Sequence, residues 1–135
     1  MTDQISLRTL HRPAKPNNAF AVPDGIETVA ERDLASPEFA ISATELFRIC
    51  VETWSPQKRV NLVHEDSATL TAAFVATTAL MRFKDDIYLE VVAMGDARSS
   101  LLLYSGSRVG YSDLGVNRKR VDHWLNELRG RVENP

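Results

Sequence analysis

The stretch from Tyr104 to Arg120, Tyr-Ser-Gly-Ser-Arg-Val-Gly-Tyr-Ser-Asp-Leu-Gly-Val-Asn-Arg-Lys-Arg, limits the folds open to this chain more than any other. Upstream, Leu101-Leu102-Leu103-Tyr104 is a bulky apolar run of the kind that ends a strand. Downstream, Val121, Trp124, Leu125 and Leu128 recur at i, i+3, i+4 and i+7, the spacing of a helix with one buried face. Between them lie three glycines, three serines, Asp113, Asn117 and four cations. That composition is too polar, and too costly in glycine backbone entropy, to be core filler. A strand therefore feeds a glycine–serine turn that opens a helix, a common way to build a small polar site.

A chain of 135 residues makes one domain around one core. Its hydrophobic share of 44% and charged share of 25% are ordinary for a globular protein. The net charge of -2 lacks the overall basic excess of nucleic-acid binders and membrane-surface proteins, so no nucleic-acid partner is expected and only a local basic patch stays open. Cys50, the one cysteine, excludes an intramolecular disulfide and a multi-cysteine zinc site, and it sits in an apolar helical pattern as a small buried hydrophobe. No segment approaches the ~18 to 20 apolar residues of a membrane span, and the N-terminus lacks the apolar run of a secretory signal. Cytoplasmic residence is the default expectation.

Residues 1–35 read as an irregular segment draped over a domain of residues 36–135. Pro13, Pro16 and Pro23 remove backbone donors, and Asn17-Asn18 and Asp24-Gly25 are turn pairs. Ser42-Ala43-Thr44-Glu45 is a capping box, followed by Leu46, Phe47, Ile49, Cys50 and Trp54 on an apolar face and stopped by Ser55-Pro56. The pattern then turns to period two. Strands are expected over 59–64, over 69–83 as one long or bent strand, over 87–92 and over 100–105, with Lys84-Asp85-Asp86 as an interruption and Gly95-Asp96 as a hairpin turn. A second helix is expected from Leu114 to Arg129, with Asp113 as N-cap and Gly130 as its stop. The order predicts an α+β fold: one antiparallel sheet of about four strands, with both helices on one face.

Around Gly110–Gly115 two readings stand. Ser112 and Asp113 cap the helix start themselves, or its free N–H groups hold an external anion together with Arg108 or Arg118. Arg118 and Arg120 lie about 200° apart on a helix. Arg118, one turn before Val121 and Leu125, is placed near the apolar side, whereas Lys119 and Arg120 are read as solvating the surface. Asp85 and Asp86 are open to three roles: turn residues, ion-pair partners of Arg108 and Arg118, or a catalytic or metal-binding pair. As strand neighbours they point to opposite faces, which argues against a shared metal or proton. The three histidines have no metal spacing, and no phosphate loop or dinucleotide fingerprint occurs, so no metal or cofactor is called for. Trp54 and Trp124 stand at core spacing.

The run Ser107-Arg108-Val109-Gly110-Tyr111-Ser112-Asp113-Leu114-Gly115-Val116-Asn117-Arg118-Lys119-Arg120-Val121 resembles, nearly residue for residue, the signature of the domain of unknown function 1499 family. Phe83-Lys84-Asp85-Asp86 resembles the family's phenylalanine-then-aspartates element, and Pro16-Asn17 its proline–asparagine element. Residues 36–80 match only in pattern. The resemblance implies a widespread bacterial family with plastid relatives and no established activity, substrate or cofactor. The chain departs from it twice. Asn18 stands where many relatives carry a cysteine, so a thiol role does not carry over. Gly106 stands where relatives often have a further arginine, which implies a weaker hold on any anion.

The function expected from these residues is a non-enzymatic binding module for a small anion or an acidic partner segment. Its site would be drawn from Asp85, Asp86, Arg108, Tyr111, Ser112, Asp113, Asn117 and Arg118, with the two arginines as charge-assisted donors. Two alternatives stand beside it. In one, the signature is a buried structural ion-pair network and a protein partner binds elsewhere. In the other, a hydrolase uses Asp85 or Asp86 as general base.

Overall fold

A computed structural model describes residues 6–134. A short 3-10 turn at Leu7–Thr9 precedes strands β1 (Asn18–Val22) and β2 (Leu34–Ala35) and helix α1 (Ala43–Trp54). Strands β3 (Val60–Asp66), β4 (Thr71–Thr77), β5 (Lys84–Gly95) and β6 (Arg98–Ser107) follow, and helix α2 (Val116–Glu133) closes the chain. The six strands form one sheet in the order β2-β1-β6-β5-β4-β3. Every neighbouring pair is antiparallel except β1 and β2, which run parallel.

The expectation of about four antiparallel strands is therefore corrected to six in a mixed sheet. The two extra strands come from the segment read as irregular. Proline and turn pairs mask the five residues of β1, yet Asn18–Ala21 pair with Leu103–Gly106 of β6. A second correction concerns residues 69–83. β4 ends at Thr77, residues 78–83 form a loop, and Lys84-Asp85-Asp86 begins β5 instead of interrupting a strand. The expected hairpin turn at Gly95-Asp96 joins β5 to β6.

Both helices cover one face of the sheet, as expected. Their core gathers Leu46, Phe47, Cys50 and Trp54 of α1, Val121, Trp124, Leu125 and Leu128 of α2, and alternate strand residues such as Phe74, Ile87, Leu89, Leu101 and Leu103. At its centre Trp54 stacks on Trp124 with ring centroids 4.9 Å apart, and Phe74 meets Trp124 edge-on at 5.6 Å. Such pairs add about 0.5–1.5 kcal/mol beyond area burial. Ser42 caps α1 by accepting from the Glu45 N–H at 3.2 Å, while the Glu45 carboxylate pairs with Arg48. Cys50 is fully buried, and burial pushes its thiol pKa up.

The opposite face carries a smaller core of Phe20, Val22, Val92, Leu102 and Tyr104. Residues of the N-terminal segment cover it, with Leu7 buried and Leu10, Ile26 and Ala30 packed alongside. Helix α2 starts two residues later than expected and runs through Gly130. A glycine inside a helix costs about 1 kcal/mol relative to alanine, too little to stop one whose other face is packed.

Candidate functional site

The signature stretch sits where β6 hands over to α2, above the end of the sheet at which β5 begins. Period-two alternation points Asp85, Ser105 and Ser107 toward the helices. Asn117, in the first turn of α2, is fully buried over them. Its side-chain carbonyl accepts from Ser105 Oγ at 2.6 Å and from Arg120 Nη1 at 2.9 Å. Its amide donates to Ser107 Oγ, to Asp113 Oδ2 and to the Asn17 carbonyl at 2.9, 2.6 and 3.0 Å. Arg120 Nη1 donates in turn to Asp85 Oδ2 at 2.8 Å and to Ser105 Oγ at 3.1 Å. The Asp85 side chain is 2% exposed and that of Arg120 16%, so this ion pair lies inside a largely buried polar network.

Asp113 begins α2 through its side chain although it lies outside the helix. Its Oδ1 accepts from the Gly115 N–H at 2.8 Å and its Oδ2 from the Asn117 N–H at 3.0 Å. Partial burial opposes its charge, but the hydrogen bonds from Asn117 and Gly115 outweigh that and hold the carboxyl below its ordinary range. The turn is tight: Leu114 and Gly115 both adopt left-handed backbone, at φ 56° and 82°. Asn17 ties the loop to β1, donating from its amide to the Gly110 carbonyl at 2.9 Å while its own carbonyl accepts from the Ser107 N–H.

On the other face of the sheet Asp86 forms a forked pair with Arg108, with Nε at 3.0 Å from Oδ2 and Nη2 at 2.8 Å from Oδ1. This pair is half-exposed. Gly106, beside it on the same face, leaves room for Tyr104, because an added Cβ would lie 2.2 Å from the Tyr104 hydroxyl. That ring in turn stacks on Tyr88 with centroids 5.9 Å apart.

The residues expected to form one site are thus divided among three places. Asp85, Asp113 and Asn117 enter the buried network, and Asp86 and Arg108 hold each other across the sheet. Tyr111, Ser112 and Arg118 are exposed. The roles expected of Arg118 and Arg120 are reversed. With Asn117, Val121, Trp124, Leu125 and Leu128 as the buried stripe, the two arginines flank it at roughly 80° on either side. The Arg120 flank faces β5 and Asp85. The Arg118 flank faces the N-terminal segment, along a shallow groove shared with Lys15, Ser112 and the ion pair Arg12–Asp33. No ion pair among the described residues involves Arg118 or Lys15.

Beside the network lies a cleft of about 220 Å³ between the β4–β5 loop and the β6–α2 loop. Phe83, Val109, Leu114 and Val116 form its apolar walls, and Asp85, Ser107 and Asp113 border its polar end. Sequence reasoning missed Arg120, Ser105, Ser107 and these walls. Asn117 and Arg120 one turn apart, opposite a period-two row of Asp85, Ser105 and Ser107, would have signalled the network. The cleft depends on two loops 25 or more residues apart meeting in space, for which no local signal exists. Among the described residues no group of three or more His, Cys, Asp or Glu side chains could hold a metal ion, and no helix is long and apolar enough to cross a membrane.

Residues 11–128 match the family described as "Protein of unknown function (DUF1499)", and the chain belongs to that family. The fold is similar to that of the di-domain ARO/CYC BexL from the BE-7585A biosynthetic pathway, with a TM-score of 0.55 and 16% identity over 74% of this chain. The match covers 46% of BexL, so this chain spans less than half of that protein's length. Ara h 8.0201 is also similar, with a TM-score of 0.52 and 9% identity over 74% of this chain and 95% of that one. At such identities the likeness concerns the fold alone. No curated protein matches the sequence.

Proposed function

We propose that this DUF1499 member is a non-enzymatic binding module whose ligand enters the cleft between the β4–β5 and β6–α2 loops. One observation carries this reading: Arg108 and Arg120 are each already held by an aspartate, and the concavity beside them has apolar walls and a polar end. Asp85 and Asp113 present acceptors there, and Ser107 keeps its own hydroxyl proton to donate. The fitting ligand is a small molecule with an apolar body and a hydroxyl or amine end. At about 220 Å³ the cleft is below the ~300 Å³ at which drug-sized sites begin, which restricts the ligand's size. In this reading Asp85 and Asp86 hold arginines and do not act as general bases, and the buried network is the architecture that shapes the cleft.

A second reading places a small anion in the groove at Arg118, favoured by two exposed cations, Arg118 and Lys15, that form no ion pair among the described residues, although Asp113 also lines the groove. Arg108 does not belong to that site, since Asp86 already holds it.

Thermal unfolding with a ligand panel separates the two. A ligand at about 100 times its Kd adds ~2.7 kcal/mol, an upward shift of several degrees in Tm. The cleft reading expects that shift from small alcohols or amines with an apolar body, and its loss in Val116→Trp, which fills the cleft. A shift from phosphate, sulfate or carboxylates that disappears in Arg118→Ala and survives in Val116→Trp would replace it with the anion reading. A flat response to every ligand in a folded wild type would sink both.

A further inference from the structure

Nine large apolar side chains are strongly exposed among the described residues, and seven of them lie in two short stretches: Leu80, Met81 and Phe83, then Val109, Tyr111, Leu114 and Val116. Single exposed apolar residues are normal on a folded surface, but a concentration like this is not. Both stretches occupy the same end of the molecule, because Phe83 and Leu114 face each other across one cleft and the Arg108 N–H donates to the Lys84 carbonyl. Leu80 and Leu114, each 88% exposed, protrude furthest. Leu114 also adopts left-handed backbone at φ 56°, a conformation in which glycine is less strained. A leucine that strains its backbone and buries almost nothing adds nothing to folding.

Four exposed cations surround this end. Arg82 and Lys84 flank the first stretch, Arg118 and Lys119 follow the second, and all four are exposed. None of them forms an ion pair among the described residues. The nearby acids are already engaged: Asp85 with Arg120, Asp86 with Arg108, and Asp113 as the cap of α2. A chain of net charge -2 thus concentrates uncompensated cations at its apolar tip.

We propose that this two-loop end docks on the surface of an anionic lipid bilayer. Leu80, Met81, Val109 and Leu114 enter the boundary between headgroups and acyl chains, and the surrounding cations meet the lipid phosphates. Two loops with exposed apolar side chains and intermingled cations fit a lipid interface, whereas a protein groove would need a contiguous apolar face. Of the inserting residues, Leu80 and Met81 lie outside the lining of the cleft, whereas Val109 and Leu114 are also two of its walls.

Flotation with vesicles tests this directly. The full chain is expected to float with vesicles of phosphatidylcholine and phosphatidylglycerol, to stay behind with phosphatidylcholine alone, and to be released by high salt. Each cation near an anionic surface contributes about a fivefold gain in partitioning, so Arg82→Glu with Lys84→Glu should weaken flotation by more than roughly 25-fold. Leu80→Ser with Met81→Ser should weaken it at least tenfold while the Tm stays at the wild-type value, because both side chains are exposed. An environment-sensitive dye on Leu114→Cys should shift to the blue with anionic vesicles. Absence of flotation at low salt would overturn the proposal. So would flotation that survives the Leu80/Met81 change with no dye shift, which would reduce the contact to non-specific charge attraction.

Discussion

Asp85 and Asp86 are adjacent in β5, and each holds an arginine at 2.8 Å, yet the two pairs stand in different physical settings. Asp85 lies under α2 with Arg120, Ser105 and Asn117, nearly closed to water. Asp86 lies on the far face with Arg108, where its side chain is 29% and its partner's 47% exposed. Identical chemistry one residue apart therefore serves two purposes. The inner pair is part of a network in which every member depends on the others, while the outer one is a fork that water can replace. Strand alternation puts them on opposite faces, and only what covers each face makes them unequal.

The largest effect expected from this contrast belongs to Arg120→Ala. It leaves Asp85 buried without its counter-charge, and loss of one partner from a buried pair costs about 3–5 kcal/mol. Denaturant unfolding should show that loss, and the double variant Asp85→Ala with Arg120→Ala should be less destabilised than the sum of the singles. Additive singles would mean that the inner pair is not coupled at all.

Next comes Asn117→Ala. It removes the group that joins Ser105, Ser107, Asp113 and Arg120, leaving buried donors and acceptors unmatched at about 1–3 kcal/mol. An equilibrium unfolding midpoint that does not move would show that water enters the network and replaces the amide.

Asp113 ranks third, with an effect that depends on pH. Its folded carboxyl is held below its ordinary value of 3.8. Its contribution is therefore present above the unfolded pKa and is lost as pH falls through the folded one. Asp113→Ala should cost about 1 kcal/mol near neutrality, typical of a lost helix cap. As pH falls below the ordinary carboxyl value the difference from wild type should shrink, and a pH series of Tm values would reveal a gap that instead stays constant.

The smallest effect is expected of Arg108→Ala. Its pair with Asp86 is screened by water and salt, so any change in Tm should vanish at high ionic strength. A salt-independent loss comparable to that of Arg120→Ala would erase the distinction between the two faces.

Much of this arrangement was legible beforehand. Period two already sent Asp85 and Asp86 to opposite faces, and Ser42 was readable as a cap because a cap depends on three or four consecutive residues; Asp113 was expected at the N-cap of α2, but Gly115 takes that position and Asp113 holds the helix start from two residues further out. Trp54 and Trp124 were readable as core for the same reason, since helical spacing is a local property. Arg118 and Arg120 were not separable in this way. Both flank the buried stripe of α2, and the choice between them rests on which neighbour lies on each side.

By itself, then, the sequence determined the strand–turn–helix unit, its family signature, the Ser42 cap of α1 and the two-layer α+β arrangement, because each follows from short-range periodicity and backbone sterics. The tertiary structure decided the rest. It set β1 beside β6, where Asn18 meets Gly106 from the opposite end of the chain, and this put Asn17 under the signature loop. It gave Asp85 to Arg120 and brought residues 78–83 against residues 109–116 as one apolar, cationic tip. Pairings over such separations carry no local pattern. They are chosen by the free energy of the whole assembled core, which no window of the chain contains.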